Sequence, residues 1–265
     1  MLFESSVTLG SLVQNCGLRI LVTNDDGIES EGLHVLAQRL TQLGEVTVFA
    51  PSGEYSGAGA AIGHIGPGLP DVVEAIRPEM PDVAAVYHLD GPPALASLLA
   101  CSGLFGDLPD LVVSGINPGW NVGHAVHFSG TIGACITADI FGIPAIAISQ
   151  RADGEPMRWA TGAEAAAQQV PAVMERPRLL NVNVPNLVWT DINGVRQTGL
   201  ADRIPFGLHD PTLSPLPDRV GVFHADFARN GPFDGPDGTD THAVEAGYVS
   251  VTELTSTHAS GRLDP

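Results

Sequence analysis

Asn24, Asp25, Asp26 and Gly27 follow directly on an apolar run, Ile20, Leu21 and Val22. The run reads as a buried strand, so two adjacent carboxylates leave its carboxyl end. Such a pair repels and loses hydration, which is costly unless a cation or hydrogen-bond donors compensate it. In open α/β sheets that edge is where ligands bind. One reading is a divalent cation held by Asp25 and Asp26. The other is a solvated turn in which one Asp caps the next helix.

A second stretch, residues 115–131, reads GINPGWNVGHAVHFSGT. It follows the apolar strand Leu111 to Ser114 and precedes a helix expected over Ile132 to Phe141. Glycine lets backbone approach a ligand closely. A Gly-rich loop opening a helix aims free N–H groups at an anion. The spacing matches neither a Walker A loop nor GxGxxG. A long surface loop is the plain alternative, at a high entropic cost.

These residues need a scaffold, and the chain supplies strand and helix patterns in alternation. Leu33, Leu36, Ala37 and Leu40 have helical spacing within Ile28 to Leu43, and Gly44 closes that helix. Val46 to Ala50 is the next strand, stopped by Pro51. This βαβ unit predicts a parallel sheet with right-handed crossovers. Ser52 to Gly68, with Tyr55, Ser56 and His64, then leaves the same edge as Asp25 and Asp26. A strand at Ala84 to Leu89, a helix at Ala94 to Cys101, and strands at Ala145 to Ser149 and Leu179 to Val184 extend the pattern, with a helix at Ala160 to Met174 between the last two. Sheet-forming sequence is expected to end near Pro185. His224 to Asp226 reads as pairing with another strand, and Gly247 to Leu254 alternates like an exposed strand.

The chain has 265 residues and a formal net charge of −18, and its 12 basic residues are all Arg. That balance argues against nucleic-acid duplexes and anionic membranes as partners. A phosphate ligand would need a metal, backbone N–H groups or a local Arg to offset the field. Three dispersed cysteines imply neither a disulfide framework nor a CxxC site. Residues 1–17 read as a loose extension with no basic n-region, and no apolar run is long enough for a bilayer. A cytoplasmic protein is the expectation.

Together the stretches RILVTNDDGI (19–28), VFAPSGEYSGA (48–58), PDLVVSGINPGWNVG (109–123), FSGTIGACITADIFGIPAIAIS (128–149), LLNVNVP (179–185) and GTDTHAVEAGYVSVTEL (238–254) resemble the SurE family of survival-protein 5′/3′-nucleotidases, in the family's order. The resemblance implies an α/β, Rossmann-like three-layer sandwich with a mostly parallel sheet, over 18–185. It also implies a C-terminal oligomerisation arm, over 186–265, exchanged in a homodimer or homotetramer. It implies metal-dependent hydrolysis of phosphomonoesters, chiefly nucleoside monophosphates. The metal ligands fall on Asp25, Asp26, Ser56 and Asn117, with Asp25 and Asp26 as catalytic residues. Such oxygen donors suit Mg²⁺ or Mn²⁺. Asn24, Gly57, Asn121, Ser129, Gly130 and Thr131 join the phosphate- and substrate-binding set.

The sequence also departs from the family pattern. Tyr55 stands where a basic residue is frequent. Gly91 to Ala96 lacks the family's Asp and Cys, Thr137-Ala138 replaces a Glu-Gly pair, and His124 and Ala125 follow the last loop glycine. These changes bear on substrate choice. Tyr55 and Trp120 are expected to wall one pocket and stack on a planar group; for Trp120 the alternative is packing against its own loop. His124 is a candidate substrate contact, whereas His64 and His127 read as ordinary loop residues. A phosphatase for another metabolite, or a member that binds without turnover, are the rival readings.

Overall fold

A computed structural model describes residues 17–68, 70–153, 156–176, 178–202, 212–226 and 235–255. The expected extension at 1–17 lies outside them except for its last residue. In chain order the elements are β1 (Arg19–Thr23), α1 (Glu31–Leu40), β2 (Glu45–Pro51), β3 (Val72–Glu74), β4 (Ala85–Leu89), α2 (Pro93–Cys101) and β5 (Leu111–Pro118). Then come α3 (Gly130–Ile140), β6 (Ala145–Gln150), α4 (Trp159–Glu175), β7 (Leu179–Val184), β8 (Val195–Gln197), β9 (Thr212–Pro215), β10 (Phe223–Asp226), α5 (Asp240–Glu245) and β11 (Val249–Leu254).

Nine strands form one sheet in the order β3-β4-β2-β1-β5-β6-β7-β11-β8. The run from β4 to β7 is parallel throughout. β3 joins β4, and β11 joins β7, antiparallel. Alternate residues of each central strand serve opposite faces. Ile20 and Val22 of β1 enter a core with Leu33, Leu36 and Leu40 of α1 and Ala163, Ala166 and Val170 of α4. Leu21 enters a second core with Leu95 of α2 and Ile132 and Cys135 of α3. Helices therefore cover both faces, which is why the strands read as unbroken apolar runs. The expected α/β three-layer arrangement with a mostly parallel sheet is what the chain forms.

Three expectations change. The helix predicted over Ile28 to Leu43 is confined to α1, because Ile28 donates its N–H to the carbonyl of Pro51 instead. The sheet does not end near Pro185, since β8 and β11 extend it. β11 is not exposed: Val249, Ser250, Val251 and Thr252 are all buried. It lies between β7 and β8, and the hydroxyls of Ser250 and Thr252 both bond to Thr198 Oγ1, at 2.7 and 2.8 Å. Alternating polar residues here mark a satisfied buried face. His224 to Asp226 does pair, as β10 against β9.

Candidate active site

β1 lies between β2 and β5, so the strand order reverses direction there. Loops from three neighbouring strands leave this switch point, the place where open α/β sheets take ligands. Thr23 of β1 is paired with Ser114 of β5. Asp26 and Asn117 each stand three residues beyond that pair. The loop after β2 is fixed to β1 by a 2.7 Å hydrogen bond from Tyr55 N–H to the carbonyl of Asp25. It is fixed to the loop after β5 by Gly59 N–H on the carbonyl of Phe128, at 3.1 Å. Asp25, Asp26, Tyr55, Ser56, Gly57, Asn117, Trp120 and Asn121 are thus brought to one edge.

Asp25 is almost wholly buried and accepts a 2.7 Å hydrogen bond from Thr131 Oγ1 on Oδ1. Burial pushes its pKa above the usual carboxylate range. The Thr131 hydroxyl and the backbone N–H groups of Asp25, Thr131 and Gly130 pull it back. Asp25 therefore lies at the N-terminus of α3, where the helix dipole favours negative charge. It does not cap the next helix: the N-cap of α1 is Ser30, which makes no side-chain cap bond.

Asp26 is half-buried, and its Oδ2 is enclosed without a partner. Its pKa is pushed up to about 7, first by burial, then by the charges of Asp25 and Glu54. Asn24 Nδ2 donates to the carbonyl of Gly27 at 3.0 Å, while its Oδ1 is buried and unpartnered. Two orphaned oxygens beside a repelling carboxylate pair fit a cation, whose charge would offset both costs. Among the described residues no group of three or more His, Cys, Asp or Glu side chains is arranged for a metal. Carboxylate, hydroxyl and amide oxygens at this edge are donor types that suit a hard ion.

The other residues are arranged as follows. Ser56 is exposed and its hydroxyl donates to Glu54 Oε1 at 3.0 Å. Asn117 is half-buried and its Nδ2 donates to the carbonyl of Gly119 at 2.9 Å. Gly57 is exposed with φ +80°, in the left-handed region. Ser129 caps α3, accepting from Ile132 N–H at 3.2 Å. Gly130 has no room for a side chain, since a Cβ would stand 2.8 Å from both Cβ and Oδ2 of Asp25. Gly133, one turn on, would likewise drive a Cβ into the carbonyl of Gly59. The glycines of this helix let α3 close on both other loops.

Asn121 is the hub of the loop after β5. Its Nδ2 reaches Ser149 Oγ at 2.8 Å and Thr131 Oγ1 at 3.5 Å. Its backbone is held by two Asn of β7. Asn183 Oδ1 accepts from Asn121 N–H at 2.8 Å, and Asn181 and Asn183 both donate to its carbonyl, at 2.8 and 3.1 Å. The register places Asn117, Ser149, Asn183 and Ser250 in one row across β5, β6, β7 and β11. The last three are fully buried. Sequence reading missed Asn181 and Asn183. The available signal was two Asn inside the apolar strand LLNVNV, since buried amides must find partners.

The residues expected to face substrate are oriented by neighbours. Tyr55 donates its hydroxyl to Asp90 Oδ1 at 2.6 Å. The Arg151 guanidinium lies 5.2 Å from the centre of the Trp120 ring and pairs with Glu245 at 2.7 Å. His124 is exposed with its Nε2 3.3 Å from Asp202 Oδ1. His64 and His127 are exposed. A separate cleft of about 280 Å³, lined by Arg19, Glu45, Thr47 and Phe105, opens at the opposite edge and holds none of these residues.

Fold and site define an open α/β protein with a carboxylate pair and a helix N-terminus at its switch point. The family model "Survival protein SurE" matches residues 20–205. The chain is similar to a 5′-nucleotidase SurE of Halorhodospira halophila, 35% identical over 89% of this chain and 90% of the relative. It is similar to another of Alkalilimnicola ehrlichii, 36% identical over 89% of each. Among solved structures it resembles the SurE protein from Aquifex aeolicus, with a TM-score of 0.74 and 31% identity over 91% of this chain and 95% of that one. The chain belongs to the SurE family.

Proposed function

We propose that the chain is a metal-dependent phosphomonoesterase acting on nucleoside monophosphates, with Asp25, Asp26, Ser56 and Asn117 as the metal-holding set. Relatives bearing the name 5′-nucleotidase support nucleotide hydrolysis. The observation that carries the site is the Asp25–Asp26 pair: Asp25 is bonded to Thr131 at the start of α3, and Asp26 Oδ2 is enclosed and unpartnered. A divalent ion bound there polarises a phosphoryl oxygen and acidifies an attacking water. The chain's own part is positioning. The N-terminus of α3 favours a phosphate dianion through its dipole. Asn121 is held at its backbone by Asn181 and Asn183 and at its amide by Ser149, so the loop that carries it needs little reordering around a phosphate. Tyr55 and Trp120 offer ring faces to a nucleobase. Turnover of a phosphomonoester panel with Mg²⁺ or Mn²⁺, abolished by EDTA, is the expected result; no turnover of any ester with either metal overturns the reading.

The same reading includes assembly into a homodimer or larger oligomer. β9 and β10 form a two-stranded hairpin whose eight strand residues are all exposed. An isolated hairpin is marginal in water, so a second copy is the natural cover. Among the described residues no helix is long and apolar enough to cross a membrane. Light scattering at micromolar concentration should give at least a dimer; a fully active monomer counts decisively against the arm.

A further inference from the structure

Asp240 is fully buried, carries a carboxylate, and belongs to neither the metal-holding nor the substrate-binding set above. Its two oxygens are divided between two parts of the molecule. Oδ1 accepts from the N–H groups of Ala201 and Thr241, at 2.9 and 2.8 Å, both in the C-terminal region. Oδ2 accepts from Gly123 N–H at 2.8 Å. Gly123 lies in the loop after β5, two residues past Asn121. Charge-assisted bonds to backbone N–H groups are strong, and three of them compensate a buried carboxylate. Neighbouring contacts follow the same line. Asp240 N–H donates to the carbonyl of Gly199 at 2.9 Å, and Gly199 N–H to that of Gly238 at 3.0 Å. The segments at 199–202 and 238–241 are therefore one unit, and Asp240 is its link to the substrate loop.

We propose that Asp240 is a positioning residue: through Gly123 it fixes the loop that carries Asn121, so the C-terminal region completes the phosphate-binding side of the site. This rests on the hydrolase reading above. The path is short, from Asp240 to Gly123 and along two peptide units to Asn121. Asp240 contacts none of the four metal-holding residues. Loss of the link therefore acts on substrate geometry and leaves metal affinity alone.

The divided acceptors make Asp240→Asn a selective probe. Two donors converge on Oδ1, so the amide oxygen stays there and the NH₂ group faces Gly123 N–H, donor against donor. The C-terminal bonds persist while the loop is released. In the full chain, kcat/KM for a nucleoside monophosphate should fall at least about tenfold, because small misplacements of substrate-binding groups are costly. The dissociation constant for Mn²⁺ should stay within about twofold, as its donors are untouched. Hydrogen exchange at Gly123 should accelerate while Thr241 stays protected. Thr198→Ala, which loosens β8 from β11, should lower thermal stability without the loss in kcat/KM. Unchanged kcat/KM, or a loss shared equally by Thr198→Ala, overturns the proposal. If Asp240→Asn does not fold, wild-type exchange decides, since Gly123 and Thr241 must then show matched protection. Rapid exchange at Gly123 overturns the link. An inactive wild-type protein instead overturns the hydrolase reading, and the exchange measurement still tests Asp240.

Discussion

Thr131 donates its hydroxyl to Oδ1 of Asp25 across 2.7 Å, so the end of β1 and the first turn of α3 act as one unit. Asp25 is held in place by a helix distant in sequence, with Gly130 pressed against its side chain. The Asp25 carboxylate and the first turn of α3 are therefore assembled together.

Gly130→Ala tests that unit. In an ordinary helix this exchange stabilises by roughly 0.5–1 kcal/mol. Here the new methyl meets Asp25 at 2.8 Å. The expected outcome is lost stability, on the order of 1–3 kcal/mol as for overpacking, with activity falling by about a hundredfold. Chemical denaturation and steady-state kinetics on the same preparation decide it. A more stable, fully active variant would show that the contact does not constrain Asp25.

Asp25→Asn and Asp26→Asn each remove one charge from a repelling pair. Hydrolysis should drop by more than about 100-fold, beyond what outer-shell changes cost a metal site. Metal-free thermal stability should hold or rise slightly. The melting shift produced by saturating Mn²⁺ in the wild type should vanish. Unimpaired turnover in both variants would falsify the assignment.

Asp26 also fixes the pH response of the metal-free protein. Its folded pKa of about 7 lies above the ordinary 3.8. Between those values the folded chain holds a proton that the unfolded chain has released, so stability falls as pH rises through the window. Asp25 shifts in the same direction. Denaturation at pH 5 and at pH 8 without metal should show the loss, and Asp26→Asn should flatten it. Added Mn²⁺ should stabilise more at pH 8 than at pH 5, because a metal needs the ionised form. A wild-type profile as flat as that of the variant would refute the burial argument.

Tyr55→Ala and Trp120→Ala should raise KM for the nucleotide more than they lower kcat, since stacking holds ground and transition states alike. An effect of roughly 1–3 kcal/mol per stacked base is the scale. A small ester without a planar group should be hydrolysed as before. Equal losses on both substrates would mean that the rings, tied to Asp90 and Arg151, serve loop structure alone.

The strand carrying Asp25 and Asp26 and the Gly-rich loop were legible in sequence because both depend on local pattern. Ile20 to Val22 is an apolar run, and the loop has a composition that costs entropy unless it is used. The bond from Asp25 to Thr131 was not legible, since their 106-residue separation is closed only by the fold. β11 was misread for a related reason. Ser250 and Thr252 look solvent-facing by alternation, yet Thr198 satisfies both inside the sheet. Asp240 belongs to an acidic, Gly-rich stretch, and its burial depends on backbone donors at 123, 201 and 241.

The place of β11 between β7 and β8 sets an order of events during synthesis. Until residues 249–254 leave the ribosome, β7 presents an open edge, and the buried row from Asn117 to Ser250 lacks its last member. Such long-range closure is slow and exposes unpaired strand to aggregation. A nascent chain lacking that strand holds the carboxylate pair while its sheet is incomplete. Premature termination or proteolysis near the C-terminal strand should therefore yield a species that aggregates, with little catalytic output.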